Sequence, residues 1–227
     1  MVPSVSVLIR LYNGIEFLEE SLRSVCDQIY DDWELLIGVN GHGPDDNYVY
    51  KKANKIVSQS SYKDKIRVIN YVQLKGGAEV MNALAQDARA DWVAFLDVDD
   101  MWLPDKLLKQ IHLRDLYPNL DIIGTQAKYF GSFQGSPQIP LGHLTIEDFK
   151  KANPMINSSV LMRRADVDFT ERFSLDDYDL WSRMIIADKN FYNLEEALTL
   201  HRIHSESAYN SSGKQDPEGL RRHYFLP

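Results

Sequence analysis

Hydrophobic residues along the chain fall in short runs parted by polar turns, and two spacings alternate. Val5–Leu11 is apolar and rich in β-branched residues, and Tyr12-Asn13-Gly14 breaks it, which predicts a strand. Residues 14–28 then carry Phe17, Leu18, Leu22 and Val25 at helical spacing, the stripe of an amphipathic helix. Residues 33–39 predict a second strand. Asn40-Gly41-His42-Gly43-Pro44-Asp45-Asp46 is turn-rich and opens a helix over about 45–58. A third strand follows over 66–72. Lys75-Gly76-Gly77 leads into a helix ending near Arg89, and residues 91–97 form a fourth strand. Strand–helix alternation of this kind predicts an α/β fold, with a mostly parallel central sheet flanked by helices on both faces.

After Asp100 the rhythm changes. Residues 103–116 read as a helix with Pro104 at its first position, and 121–130 as a strand. Residues 131–143 hold three glycines and two prolines; so long a loop is expected to be functional or mobile. A short helix over 145–152 is capped by Thr145, and a short strand follows over 158–162. The 176–188 segment is helical, with Leu180, Trp181, Met184 and Ile185 on one face, and 197–203 is a strand. Residues 205–227 are polar without a clear period. The second half therefore reads as a smaller, mixed extension of the first sheet: one domain over 1–208 and a polar tail over 209–227.

Composition narrows the function. The formal net charge of −8 weighs against nucleic acid as a partner, since such proteins are normally basic. Cys26 is the single cysteine, which leaves no intrachain disulfide and no cysteine-based metal site. No apolar run approaches the roughly 20 residues of a membrane span. Arg10 interrupts the first apolar run, so no signal peptide is expected. These features predict a soluble protein of a reducing compartment, the cytoplasm.

The candidate chemistry begins at Asp97-Val98-Asp99-Asp100. If the fourth strand stays extended through this segment, Asp97 and Asp99 point the same way. Converging carboxylates repel each other, and Mg2+ or Mn2+ is the simplest compensation, because such ions take one or two carboxylates and leave room for phosphate oxygens. The competing reading is a solvated turn. Asp176-Asp177-Tyr178-Asp179 opens a helix, where the dipole favours negative charge; the alternative use is a general base. His201-Arg202-Ile203-His204 ends a strand, and His204 either is structural or meets a metal or phosphate. Tyr12-Asn13 and Asn40-Gly41 end neighbouring strands and could hold a base, or merely turn the chain.

Taken in order, these segments resemble the inverting glycosyltransferases of the GT-A fold, family 2. The resemblance runs from Pro3 to about residue 208. It is carried by Val5-Ser6-Val7-Leu8-Ile9 with Tyr12-Asn13, Trp33-Glu34-Leu35-Leu36-Ile37, Gly76 to Asn82, Phe95 to Pro104, Asp176 to Trp181, and Arg202-Ile203-His204 with Ser207. It implies Asp99 as the main metal ligand, with His204 contacting the metal or the diphosphate. It implies Asp97 on the ribose or, through water, on the metal, with Asp100 in support. Tyr12, Asn13, Asn40, Gly76, Asp97 and Val98 would line the nucleotide site. Asp177 would be the catalytic base, with Asp176 as second choice. Residues 1–100 would form the nucleotide-binding half and 101–208 the acceptor-binding half. The implied partners are a nucleoside-diphosphate sugar, UDP-linked by preference, and a hydroxyl of a glycan or other acceptor, with Mn2+ or Mg2+ as cofactor. The chain could also be one part of a longer multi-domain transferase.

Two positions depart from the family pattern. Val39-Asn40 stands where members commonly carry Asp-Asp, and Met81 where many carry Arg, with Lys75 a candidate substitute. Asn can still accept from an imide N–H, and it can also donate. The competing classes are a catalytically silent nucleotide-sugar or glycan-binding module, which would not need Asp177, and a nucleotidyltransferase, which would show a basic, glycine-rich turn after the first strand. A dinucleotide-binding dehydrogenase would carry Gly-x-Gly-x-x-Gly, which is absent.

Overall fold

A computed structural model of the chain describes residues 2–43, 47–205 and 215–226. In chain order the elements are β1 (Val5–Leu11), α1 (Leu18–Cys26), β2 (Trp33–Asn40), α2 (Tyr48–Ser58), β3 (Ile66–Tyr71), α3 (Gly77–Asp87), β4 (Trp92–Phe95) and β5 (Met101–Trp102). There follow α4 (Lys106–Leu116), β6 (Ile122–Gly131), β7 (Gly142–His143), α5 (Ile146–Lys151), β8 (Leu161–Arg163), α6 (Asp176–Ile186), β9 (Phe191–Ile203) and α7 (Pro217–Phe225).

Among the described residues all nine strands join one curled sheet, in the order β3-β2-β1-β4-β8-β6-β9-β5, with β7 on β9. Strands β3, β2, β1 and β4 run parallel, as the alternating pattern requires. The sheet turns mixed where β8 pairs antiparallel to both β4 and β6. Period-two alternation along β1 feeds two cores. Val5, Val7, Ile9 and Leu11 pack with Leu18, Leu22 and Val25 of α1 and with α2 and α4. Leu8, on the other face, packs with Leu84 of α3 and Trp181 of α6. Each such fully buried aliphatic side chain contributes on the order of 2 kcal/mol.

At the amino-terminal end of the strands, buried Glu34 takes the Ser6 hydroxyl at 2.7 Å and the Arg89 backbone and side chain at 2.7 Å each. Burial opposes its charge, yet these donors outweigh it and hold the carboxyl below its usual range. This network ties β1, β2 and the segment after α3 far from the opposite, ligand-facing edge.

Several expectations need correction. The polar tail expected from residue 209 carries α7, which Pro217 starts and the Asp216 side chain caps, accepting from the Gly219 amide at 2.7 Å. Leu220 is buried, and Tyr224 donates to Asp179 at 2.6 Å, so α7 closes over α6. Its pattern was hidden because only Leu220, Tyr224 and Phe225 dock so short a helix, among mostly polar neighbours. The 131–143 loop is pinned: the Tyr129 amide donates to the Gly135 carbonyl at 2.8 Å, and β7 pairs with β9. Pro104 lies in a turn ahead of α4, not inside it. Strand β9 begins at Phe191, six residues before the expected start, and meets β6 through register shifts between Thr125 and Ala127. The first residues of the helix expected over 45–58 lie outside the described residues; the described part begins at Tyr48. Among the described residues no helix is long and apolar enough to cross a membrane.

Candidate active site

The site forms at the carboxyl ends of β1, β2 and β4, where ligands of open α/β sheets bind. Strand β4 stops at Phe95, and the backbone turns over Val98-Asp99, closed by the Asp100 amide on the Asp97 carbonyl at 3.0 Å. Asp97 and Asp99 therefore do not alternate along an extended strand, contrary to expectation. The turn instead gives each of the three carboxylates a separate partner. Asp97 Oδ1 accepts from Asn157 Nδ2 at 2.9 Å. Burial, reinforced by Asp100 and Asp99, pushes its pKa up to about 7. Asp99 Oδ2 lies 2.9 Å from His204 Nε2.

Asp100 is fully buried and saturated. It accepts from the Ser158 hydroxyl at 2.5 Å, His201 Nδ1 at 2.9 Å and the Arg202 amide at 2.8 Å. Burial resists charge on His201, but the bond to Asp100 and the neighbouring carboxylates lift its pKa to about 9. Asp100 thus latches the end of β9 to the turn. Arg202 adds a second latch. Its Nε donates to the Asp99 carbonyl at 2.8 Å, and its guanidinium lies 4.6 Å from the Phe17 ring centre and 4.3 Å from that of Phe130. Its outer nitrogen pairs with Glu20. A cavity of about 460 Å3 opens beside this latch, with Phe17, Ser132 and His204 in its wall.

Asp99 and His204 are the two donors that one cation could share. Among the described residues no three His, Cys, Asp or Glu side chains close into a metal cage. That donor set fits Mg2+ or Mn2+ completed by phosphate oxygens better than an ion held by protein alone.

The first two turns meet as the sequence predicted. Tyr12 is 50% exposed and stacks on His42, with ring centres 5.2 Å apart. It also covers Gly41, whose φ is +76° and where a Cβ would lie 2.5 Å from the Tyr12 ring. Only glycine fits there. Buried Asn40 donates to the Lys75 carbonyl at 3.3 Å, while its Oδ1 has no partner among the described residues. Asn13 is exposed in the turn. Val98 presses against that turn, where a Cβ on Gly14 would lie 2.9 Å from Val98 Cγ1. Gly76 stands before α3, its amide donating to Glu79 at 3.2 Å.

The second acidic segment opens α6. Asp177 Oδ2 accepts from Asn153 Nδ2 at 2.9 Å and Oδ1 from the Tyr178 amide at 2.7 Å. Burial, then the charge of Asp176, raises its pKa to about 6. Asp176 Oδ2 lies 3.5 Å from Arg10 Nη1. Asp179 is buried among Thr170, Arg183 and Tyr224, which makes it structural.

Sequence reasoning missed Arg10, Asn153 and Asn157. Arg10 did carry a signal, a charge inside an apolar strand. It points to the α3–α6 face, where a Cβ on Gly77 would lie 1.9 Å from its Nη1. Its charge also acts on Asp97, so it stands between the two acidic segments. The Phe95 and Trp181 rings, 6.3 Å apart, bring β4 and α6 together behind them. Lys75 offers the site its carbonyl, through Asn40. Ser207 lies outside the described residues.

The sequence model described as "Glycosyl transferase family 2" matches residues 6–177, most of the chain. The chain belongs to glycosyl transferase family 2. Among its relatives, "Putative glycosyltransferase EpsE" of Bacillus subtilis is 28% identical over 221 residues, covering 90% of this chain and 75% of its own. "O-antigen biosynthesis glycosyltransferase WbnJ" of Escherichia coli is also 28% identical, over 93% of this chain and 84% of its own. The fold matches that of S. aureus TarS 1–349, solved in complex with UDP-GlcNAc, at a TM-score of 0.74 and 18% identity, over 92% of this chain. A Pyrobaculum calidifontis mannosyltransferase, PcManGT, solved with GDP-Man and Mn2+, gives 0.69 at 12% identity, also over 92% of this chain. The family 2 chain spans 61% of the first of these solved chains and 59% of the second. The GT-A architecture expected from the sequence is thus shown.

Proposed function

We propose that this family 2 chain transfers a sugar from a nucleoside diphosphate, UDP by preference, to an acceptor hydroxyl, with inversion and with help from a divalent cation. The observation that carries the reading is that Arg10 links two acidic segments, pairing with Asp176 at 3.5 Å while its charge bears on Asp97. Residues 1–100 would hold the nucleotide and residues 101–208 a glycan or other hydroxyl acceptor.

Tyr12 would stack on the base, and Asn40 Oδ1, buried and without a partner among the described residues, would accept from the uracil imide N–H after a small opening of the Asn40-Gly41 turn. Asp97 would face the ribose. Asp99 and His204 would hold Mg2+ or Mn2+, which when bound neutralises charge developing on the diphosphate. Asp177 takes the acceptor's hydroxyl proton. The acceptor oxygen bonds to the anomeric carbon as the bond to diphosphate breaks, and the diphosphate leaves with that electron pair. Attack opposite the leaving group inverts the centre. A base with a pKa of about 6 is mostly ionised at neutral pH yet keeps proton affinity, the balance general-base catalysis needs.

Proton NMR of α-linked nucleotide-sugar turnover, with water or an added glycan as acceptor, tests this reading. The expected first product is β-configured, and Asp177→Asn abolishes it while UDP still binds. An α-configured first product would contradict inversion. Nucleotide binding without turnover across UDP-, GDP-, CDP- and TDP-sugars would favour a silent binding module.

A further inference from the structure

We propose that Asn153, in the loop after α5, is a positioning residue that aims the Asp177 carboxylate and holds it in its ionised form. The inference rests on the reading of Asp177 as the base. Asn153 Nδ2 donates to Asp177 Oδ2 at 2.9 Å. The amide's orientation is set from its other end, where the Met155 backbone N–H donates to Asn153 Oδ1 at 3.4 Å. Pro154 follows directly, keeping Asn153 extended and removing the backbone donor that would otherwise compete. Nδ2 is therefore the atom turned to the carboxylate.

An amide nitrogen donates and has no lone pair to accept. It bonds the carboxylate anion and offers nothing to a carboxylic O–H at that oxygen. It thus opposes two influences that favour the protonated form, burial and the adjacent charge of Asp176. Other charged groups around the helix point elsewhere. Arg10, from β1, reaches Asp176. Arg221, from α7, donates to the Lys151 carbonyl of α5 and bears on Tyr178. The Tyr178 backbone amide donates to the other oxygen, Asp177 Oδ1, at 2.7 Å. The same loop reaches the nucleotide side as well, since Asn157, four residues on, holds Asp97 at 2.9 Å. One short segment therefore sets where the base stands relative to the end of β4.

The test is 13C NMR titration of the Asp177 carboxyl in the full chain, for the natural protein, Asn153→Leu and Asn153→Gln. No substrate is needed. Loss of a hydrogen bond to a charged group is expected to raise the midpoint by about one pH unit in Asn153→Leu. Asn153→Gln, which keeps a donor, should lie nearer the natural value. The acid limb of turnover should move with the midpoint, while the thermal shift caused by UDP stays unchanged. An unchanged midpoint in folded Asn153→Leu would overturn the proposal. Normal turnover in Asp177→Asn would overturn it through its premise, whatever the titration gives.

Discussion

Replacing Arg202 by lysine keeps a positive charge and removes the plane and the Nε donor. The structure gives the size of the loss. The guanidinium lies between the Phe17 and Phe130 rings, 4.6 and 4.3 Å from their centres, and donates to the Asp99 carbonyl at 2.8 Å. Its side chain is only 15% exposed, so water replaces little of this. Each stacked contact is worth about 0.5–1 kcal/mol, and the hydrogen bond about 1 kcal/mol. Arg202→Ala should therefore cost about 2–3 kcal/mol and Arg202→Lys about 1–2 kcal/mol, because an ammonium cannot stack as a guanidinium does. For a chain of this size 1 kcal/mol corresponds to roughly 2–4 °C in Tm. The functional loss should be larger than the thermal one. Arg202 holds the Asp99 backbone and sits two residues before His204, so its loss should loosen the proposed cation pair. The assay is urea unfolding of both variants together with UDP affinity, with and without Mn2+. Arg202→Lys should lose most of the Mn2+-dependent part of that affinity and keep the rest. A lysine variant as stable as the natural protein, with undiminished Mn2+ dependence, would refute the latch.

Other substitutions separate site from scaffold. Asp177 has a folded pKa raised to about 6, above its unfolded value, so the folded state binds the extra proton and stability falls as pH rises from about 4 to 6. Asp177→Asn should therefore raise Tm at pH 7.5, by up to about 3 kcal/mol in stability, while removing transfer; an unchanged or lower Tm would contradict that. Asp176→Asn removes the neighbouring charge and should move the acid limb of turnover to lower pH; a limb that stays put would show that Asp176 does not act on the base. Arg10→Gln should weaken UDP about tenfold and uridine little, read by calorimetry, since the guanidinium is the cation between the acidic segments. Glu34, held ionised by Ser6 and Arg89, contributes stability above its unfolded pKa that is lost as pH falls through the folded value. Glu34→Gln should flatten the acid side of the stability profile and leave UDP affinity intact.

The elements that were legible in the sequence are those whose own pattern decides them. Strands β1 and β2 are long, mostly apolar runs, β3 alternates apolar and polar residues, and α6 has a full apolar face, so their own pattern places them. Strands β5 and β7 are two residues long, and β9 begins with polar Asn193, Glu195 and Glu196 among its residues; pairing with distant strands decides all three. The site divides the same way. Asp97, Asp99, Asp177 and His204 stand out by residue type and order. Their geometry did not, because the turn at Val98-Asp99 is fixed by Ser158 and the end of β9. Asn153 and Asn157 have no signature in a single sequence, since only the fold brings them to their carboxylates. Arg10 was visible as a charge in an apolar run, but which face it occupied depended on the helices packed beside it.

The most direct test of the central claim is a thermal-shift panel of UDP, GDP, CDP and TDP, each with and without Mn2+, on the natural protein and Asp99→Ala. A ligand at a hundredfold excess over its Kd stabilises the fold by about 2.7 kcal/mol, a shift of several degrees. The account predicts a Mn2+-dependent shift that is largest with UDP and lost in Asp99→Ala. A shift with none of the four nucleotides, or one that Mn2+ and Asp99→Ala leave unchanged, would contradict it.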